Sequence, residues 1–123
     1  MPLRSFQPGS KFNVYAYVEP GPEAICPVAS WMRALTDQAK RTFAVTIKQH
    51  AEDGPLRDKQ KSEFLEHEIY EFKCHVGPGY RILWFYLPGG RTVLTHGFNK
   101  GAKLRSEIDR ARAIKASVEA DEK

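Results

Sequence analysis

Two neighbouring runs of β-branched and aromatic residues constrain the fold of this chain most strongly. Tyr80 to Leu87 and Arg91 to Phe98 are joined by Pro88-Gly89-Gly90, and this length and turn composition are typical of a β-hairpin. In the first run, apolar residues occupy both alternating faces, which indicates a strand that is covered on both sides. The sequence therefore predicts a central antiparallel hairpin inside a folded domain.

The hairpin lies in a stretch of thirty-five residues, Phe72 to Ser106, that contains no Asp or Glu. Residues 100–115 then carry six Lys or Arg against two carboxylates, in a chain whose formal net charge is +4. A sheet whose charged positions are all cationic suits a polyanion such as RNA or DNA, and it disfavours a mechanism that takes a carboxylate from this segment. A solvated helix face is the simpler interpretation of residues 100–115. The Lys and Arg residues of the acid-free stretch are Lys73, Arg81, Arg91, Lys100, Lys103 and Arg105.

The order of the other patterns indicates an α+β domain. Its predicted parts are an N-terminal strand, a helical hairpin, a three-stranded antiparallel meander and a C-terminal helix. We expect one domain over residues 1–123, with residues 1–11 and 118–123 loosely ordered. The predicted bounds are strand Phe12 to Val18, a helix from Pro27, a helix from Thr36 or Asp37 to Gly54-Pro55, a loop from Leu56 to His67, strand Glu68 to Val76, and a helix from about Lys103.

Cysteine usage and hydropathy bear on the compartment. Cys26 and Cys74 show no CxxC spacing, which favours a reducing compartment over a disulfide framework. Residues 1–10 lack an apolar leader, and no run is long enough to cross a bilayer. We therefore expect a soluble, cytoplasmic protein that does not enter a membrane.

Neither metal nor cofactor chemistry is indicated by the sequence. Cys74 and His75 are neighbours in a predicted strand, so their side chains point to opposite faces, and no pair of carboxylates lies nearby. The sequence shows no P-loop, dinucleotide-binding fingerprint or serine nucleophile elbow. We therefore expect no metal and no cofactor.

Four segments resemble the HigB-like branch of the RelE/ParE toxin superfamily. In that branch the corresponding segments read roughly (I/L)(Y/W)ELR, YR(I/V), LHGFxKK and REIxRA. The resemblance extends over about residues 64 to 114. In this chain the matching segments are Ile69 to Lys73, Tyr80 to Leu83, Val93 to Lys100 and Glu107 to Ala111.

The resemblance implies a RelE-like fold and a phage-related toxin of a type II toxin–antitoxin pair. It further implies an endoribonuclease that cuts mRNA, usually in the ribosomal A site, and that a cognate antitoxin silences. A helix-turn-helix protein encoded beside this chain is the expected antitoxin. A basic groove between a sheet and a C-terminal helix would be open to an acidic or amphipathic helix of such a partner.

Metal-free RNA cleavage needs cations where negative charge builds on the phosphate oxygens. Arg81 is the first candidate for this role, because a guanidinium can hold two oxygens at once; the structural alternative is an ion pair with Glu71 across strands. Lys73 would project from the same face as Arg81 in ordinary register. Lys100 and Lys103 would form the opposite rim, or would only be exposed solubilising lysines. Arg105 completes the predicted RNA-binding set.

Histidine is the side chain whose ordinary pKa suits proton transfer near neutrality. His96 and His75 are therefore the candidates for acid–base catalysis, beside Arg81 and Lys100. A packed histidine is an equal alternative for His96. Tyr80 could stack on a base or donate a proton, although its alternation with Ile82 favours core packing.

Two other functions compete with RNA cleavage. The first is a ParE-like inhibitor that binds DNA gyrase and cleaves nothing. The second is a non-catalytic RelE-fold module whose cations only bind RNA or an acidic partner, with an affinity that falls steeply with salt.

Overall fold

The computed structural model describes residues 2–122 as a six-stranded sheet with helices on both faces. It confirms the α+β class with an N-terminal strand, a helical hairpin, antiparallel strands and a C-terminal helix. Residues 1 and 123, which belong to the predicted loose termini, lie outside the described residues. The elements are β1 (Leu3–Gln7), β2 (Asn13–Tyr17), α1 (Pro27–Met32), α2 (Asp37–Asp53), β3 (Ser62–Glu66), β4 (Ile69–Cys74), β5 (Tyr80–Leu87), β6 (Arg91–Asn99) and α3 (Leu104–Asp121).

The strand order in the sheet is β1-β2-β6-β5-β4-β3. The sheet is mixed, because β2 and β6 run parallel while every other neighbouring pair is antiparallel. The predicted hairpin is confirmed. Leu87, at the end of β5, pairs with Arg91, at the start of β6, on either side of the Pro-Gly-Gly turn. The hairpin lies at the centre of the sheet, as the apolar residues on both faces of β5 predict.

Three sequence predictions about order are wrong. Residues 3–7 do not form a loose lead-in but pair with β2, and residues 62–66 do not form a loop but pair with β4. The C-terminal helix continues to Asp121, with Val118 fully buried, where a loosely ordered end was predicted. Both missed strands are short and lie at the edges of the sheet. Each pairs with the next strand along the chain, but a register shift interrupts its alternation, between Ser5 and Gln7 in β1 and between Phe64 and Glu66 in β3.

The start and end of α2 follow from local chemistry. The Thr36 hydroxyl accepts a hydrogen bond from the Ala39 backbone N–H at 3.2 Å, which satisfies one of the free donors of the first turn. Gly54 ends the helix with φ +93°, a conformation that favours glycine. Between them, Phe43 and Ile47 are buried against the sheet.

Two apolar cores lie on opposite faces of the sheet. Since neighbouring side chains of a strand alternate, β5 gives Ile82 and Trp84 to the core beneath α1 and α2, and Leu83 and Phe85 to the core beneath α3. Arg81 lies on the α3 face by the same alternation. The sheet thus places Arg81 on the same face as the C-terminal helix.

A β-bulge in β6 determines where His96 lies. Leu83 pairs with His96 while the next residue, Trp84, pairs with Leu94, so Thr95 has no partner of its own. The Thr95 hydroxyl donates to the Leu83 carbonyl oxygen at 3.1 Å. The extra residue reverses the alternation, and His96 therefore lies on the α3 face.

Candidate functional site

Lys73 and Arg81 lie directly opposite each other across β4 and β5. The sequence prediction that the two cations project from one face is therefore confirmed. Like charges in directly opposed positions destabilise a strand pair unless another group compensates them. The pair consequently needs carboxylates nearby.

Two glutamates from outside the acid-free stretch supply this compensation. Glu63 of β3 contacts the Lys73 ammonium with 2.6 Å between Oε1 and Nζ. The two carboxylate oxygens of Glu71 lie 3.8 Å from Lys73 Nζ and 3.8 Å from Arg81 Nε. The acid-free segment therefore does not make an acid-free site, because neighbouring strands bring carboxylates to it.

The two carboxyl groups differ in their electrostatics. Burial raises the pKa of Glu71, against the opposing effects of Arg81 and then Lys73. The hydrogen bond from Lys73 lowers the pKa of Glu63, which lies at the surface. Glu71 is therefore the better proton acceptor near neutral pH, since a raised pKa brings a carboxylate closer to the pH at which it would act.

A hollow of about 260 Å³ opens beside Arg81. We call it the Arg81 hollow. The Arg81 side chain is 10% exposed, and its Nη1 donates to the Tyr80 carbonyl oxygen at 3.0 Å. The ion pair with Glu71 that was the structural alternative is present, but the guanidinium still borders an open space. The hollow is lined by Glu71, Arg81, Phe98, Lys100, Gly101, Ala102 and Leu104.

The predicted rim residues lie between β6 and the start of α3. Lys100 lines the Arg81 hollow and is held by its backbone, whose N–H donates to the Gly79 carbonyl oxygen at 3.0 Å. Lys103 is the exposed N-cap residue of α3. Arg105 is exposed on the first turn of α3, and its guanidinium pairs with Glu66. Lys100 is thus the rim cation that the structure brings together with Arg81.

His96 is 1% exposed and is held on both ring nitrogens. Its Nε2 lies 2.9 Å from Glu107 Oε1 of α3, and its Nδ1 lies 3.0 Å from Thr95 Oγ1. Burial, and then the charge of Arg110, lower the pKa of His96 despite the neighbouring Glu107. His96 therefore connects the sheet to α3 as a buried ring that contacts Thr95 on one side and Glu107 on the other.

His75 and Tyr80 lie away from the Arg81 hollow. His75 follows the end of β4 and its Nε2 donates to the Gln60 carbonyl oxygen at 2.8 Å. Tyr80 lies on the opposite face from Arg81, where its ring packs edge-on against Trp31 at 5.9 Å. Neither side chain lines the hollow.

Two further observations concern cofactors and membranes. Among residues 2–122, no group of three or more His, Cys, Asp or Glu side chains is arranged to hold a metal ion. Within the same range, no helix has the length and hydropathy to cross a bilayer. Cys26 and Cys74 are both buried and unpaired with each other.

Glu63 and Glu107 were not among the residues predicted for the site. Glu63 falls in a segment predicted to be a loop, and Glu107 faces His96 only because of the bulge at Thr95. The one available signal was the alternation in β4, which places Glu71 on the same face as Lys73. Of the nearby carboxylates, Glu71 was accordingly expected from the sequence, as the alternative partner of Arg81, and the two groups do lie together.

The fold and the site define a small α+β protein with a mixed cation–carboxylate hollow between its sheet and its C-terminal helix. The chain belongs to a family described as "Phage derived protein Gp49-like (DUF891)", whose model matches residues 30–117. This is a RelE-like toxin family, and membership is consistent with the toxin of a toxin–antitoxin system. Toxins of the Gp49-like family usually pair with an antitoxin. No curated protein matches the chain.

Proposed function

We propose that this chain is a HigB-like toxin of a type II toxin–antitoxin system and acts as a metal-independent endoribonuclease on mRNA. The observation that carries the proposal is the Arg81 hollow, where two cations and a buried carboxylate line one space of about 260 Å³. Cations suit the phosphate, and a carboxylate suits the proton transfer. The family match supports the toxin part of the proposal.

In the proposed reaction, Arg81 and Lys100 hold the scissile phosphate. The guanidinium uses one N–H on the Tyr80 carbonyl oxygen, and its Nε is 3.8 Å from Glu71, which is too long for a hydrogen bond. N–H groups therefore remain for the non-bridging oxygens, on which negative charge builds in the transition state. Lys103 and Arg105, exposed at the start of α3, would bind the adjacent backbone.

Glu71 is the proposed proton acceptor. It would take the proton of the 2′-hydroxyl, whose oxygen then attacks phosphorus and displaces the 5′-oxygen. The products are a 2′,3′-cyclic phosphate and, after protonation of the leaving oxygen, a 5′-hydroxyl. His96 is less suited to this task because its ring is buried and both of its nitrogens are occupied. His75 lies outside the hollow.

The proposed partners are the translating ribosome with its mRNA and a cognate helix-turn-helix antitoxin. We propose that the protein acts in the cytoplasm, where ribosome and mRNA meet. An antitoxin that covers the Arg81 hollow would exclude RNA from the cations that border it.

A second candidate function is a non-catalytic RelE-fold module that binds RNA. The neutralisation of Lys73 and Arg81 by Glu63 and Glu71 favours it, since paired cations attract a phosphate chain less strongly. Such a module would bind RNA with a strong salt dependence and would release no product.

The test is to add the purified protein to a translating extract programmed with one defined mRNA and to map new RNA ends. The proposal predicts ends that a kinase labels directly, because the 5′-hydroxyl is free. RNA binding without new ends would favour the non-catalytic module. Inhibition of DNA gyrase supercoiling without RNA cleavage would instead indicate a ParE-like inhibitor.

A further inference from the structure

A second cleft lies on the face of the sheet opposite to the Arg81 hollow. Helix α2 ends at Asp53, and residues 54–61 connect it to β3. This leaves a space of about 420 Å³, which we call the aromatic cleft. Its volume lies within the range of small-molecule sites. Its lining includes two cations and four aromatic residues, namely Arg57, Lys59, Phe64, Tyr70, Trp84 and Tyr86.

The wall of the aromatic cleft consists of rings from three adjacent strands. Tyr70 stacks on Trp84 with 4.5 Å between ring centroids and 16° between planes, and Phe64 packs edge-on against Tyr70 at 5.2 Å. Phe64 nevertheless remains 54% exposed. A large apolar ring held at the mouth of a cleft, with much of its surface in water, is a platform on which a planar ligand can stack.

Trp84 carries a polar group without a partner in this wall. Its side chain is 1% exposed, and Nε1 has no hydrogen-bond partner among residues 2–122. A buried indole N–H normally has an acceptor, because an unpaired donor bears a desolvation cost.

The charge at the mouth of the cleft is cationic. Arg57 and Lys59 are exposed and form no ion pair within residues 2–122. Glu63, at the same mouth, is already held by Lys73. Burial, and then the neighbouring Tyr70, raise the pKa of Tyr86 to about 12, so that phenol adds no negative charge. The cleft therefore complements an anion attached to a planar group.

We propose that the aromatic cleft binds a nucleotide, with the base against Phe64 and Tyr70 and the phosphate at Arg57 and Lys59. The nucleotide can come from two sources, as a free monophosphate or as one unit of a single-stranded RNA. The site is separated from the Arg81 hollow by the sheet, and it does not depend on RNA cleavage. An acidic peptide is the competing occupant, but it offers no flat ring for the wall.

The two indole N–H resonances of the protein provide the readout, since the chain has two tryptophans. Trp31→Phe assigns the resonance of Trp84. We would titrate adenosine monophosphate, adenosine, inorganic phosphate, an acidic peptide and a six-nucleotide RNA into the full chain, using Arg81→Ala protein for the RNA so that cleavage is slowed. The proposal predicts a shift of the Trp84 resonance with the monophosphate, with the RNA, or with both.

The pattern of the titration identifies the source of the nucleotide. A response to the monophosphate that exceeds those to adenosine and to phosphate supports a free nucleotide, and a response to RNA alone supports a strand. No response to either, or a response only to an acidic peptide, would overturn the proposal.

Substitutions distinguish binding in the aromatic cleft from nonspecific attraction of the ligand to the protein's positive charge. Phe64→Ala and Lys59→Gln should each weaken binding by about tenfold. Val45→Ala and Lys48→Gln are matched controls, because both residues are exposed on α2 and neither lines the cleft. Equal losses in the cleft variants and the controls would contradict the assignment.

Discussion

The guanidinium of Arg81 lies 3.8 Å from the carboxylate of Glu71 at the edge of the Arg81 hollow. At this distance the two charges attract each other, but no hydrogen bond joins them. The charge of Arg81 is therefore compensated in the folded chain, while N–H groups of the guanidinium remain without a hydrogen bond to Glu71. Glu71 lines the same hollow, and burial raises its pKa.

The first prediction concerns Glu71 as the proton acceptor. Glu71→Gln should lower the rate of RNA cleavage by about 100-fold or more, while RNA binding stays equal or becomes tighter, because a negative charge is removed. The wild-type rate should rise with pH as Glu71 loses its proton, at a pH above the ordinary glutamate pKa of 4.5. Single-turnover rates and a binding titration measure the two effects separately.

Glu63→Gln is the control for this prediction. It removes the carboxylate that pairs with Lys73 but does not line the Arg81 hollow, so its cleavage rate should stay within a few-fold of wild type. Full activity of Glu71→Gln would exclude Glu71 as the base.

The second prediction concerns the contact between His96 and Glu107. Glu107→Ala leaves the buried His96 Nε2 without its partner, and it should lower the free energy of unfolding by about 1–3 kcal/mol. Asp109→Ala, an exposed position on the same helix, should change it by less than about 0.5 kcal/mol. Urea denaturation measures both. Equal stabilities of the two variants would show that the contact does not anchor α3.

The third prediction concerns the pH dependence of stability through His50. Burial lowers the pKa of His50 to about 4 from 6.5, so between these values the unfolded chain binds more protons than the folded one. Its stabilising contribution is complete above pH 6.5 and is lost as pH falls towards 4. Between pH 7 and pH 4.5 the loss should be about 2–3 kcal/mol.

His50→Leu provides the comparison for that loss. The variant lacks the titrating ring and the hydrogen bond to Thr92, so it should be less stable at pH 7 but should lose less stability on acidification. Urea unfolding at the two pH values gives the difference. Parallel losses in wild type and variant would assign the pH dependence to other groups.

The fourth prediction concerns Gly97, which packs against Trp31. A Cβ at this position would lie 2.0 Å from the Trp31 ring. Gly97→Ala should therefore lower the free energy of unfolding by about 1–3 kcal/mol. The double variant Gly97→Ala with Trp31→Ala should recover part of that loss, because the clashing ring is absent. Additive effects in the double-mutant cycle would contradict the clash.

The long, periodic elements could be predicted from the sequence, and the short edge strands could not. In the hairpin, β5 has the predicted bounds and β6 ends one residue later, at Asn99, because its alternation and its turn are both local signals. Likewise, α2 begins after Thr36 and ends before Gly54, where local capping chemistry places its limits. By contrast, β1 and β3 are five residues long and rich in polar residues, and a register shift breaks the alternation of each, so no local pattern reveals them.

The cations of the candidate site and the carboxylate of Glu71 were predictable from the sequence, but the carboxylate of Glu63 was not. Register alone brings Lys73 and Arg81 together, and alternation in β4 and β5 indicates it. The position of His96 depends on a one-residue bulge at Thr95, and a single sequence carries no clear signal for such an insertion. A strict alternation would have placed His96 on the other face.

The most direct test of the central claim is the cleavage rate of one defined mRNA in a translating extract with wild type, Arg81→Ala and Arg112→Ala. Arg112 is an exposed cation of α3 outside the Arg81 hollow, and a thermal melt establishes that each variant is folded. The proposed function predicts that Arg81→Ala cleaves about 100-fold more slowly and that Arg112→Ala matches wild type. Equal rates for a folded Arg81→Ala and wild type, or no cleavage by wild type, would contradict it.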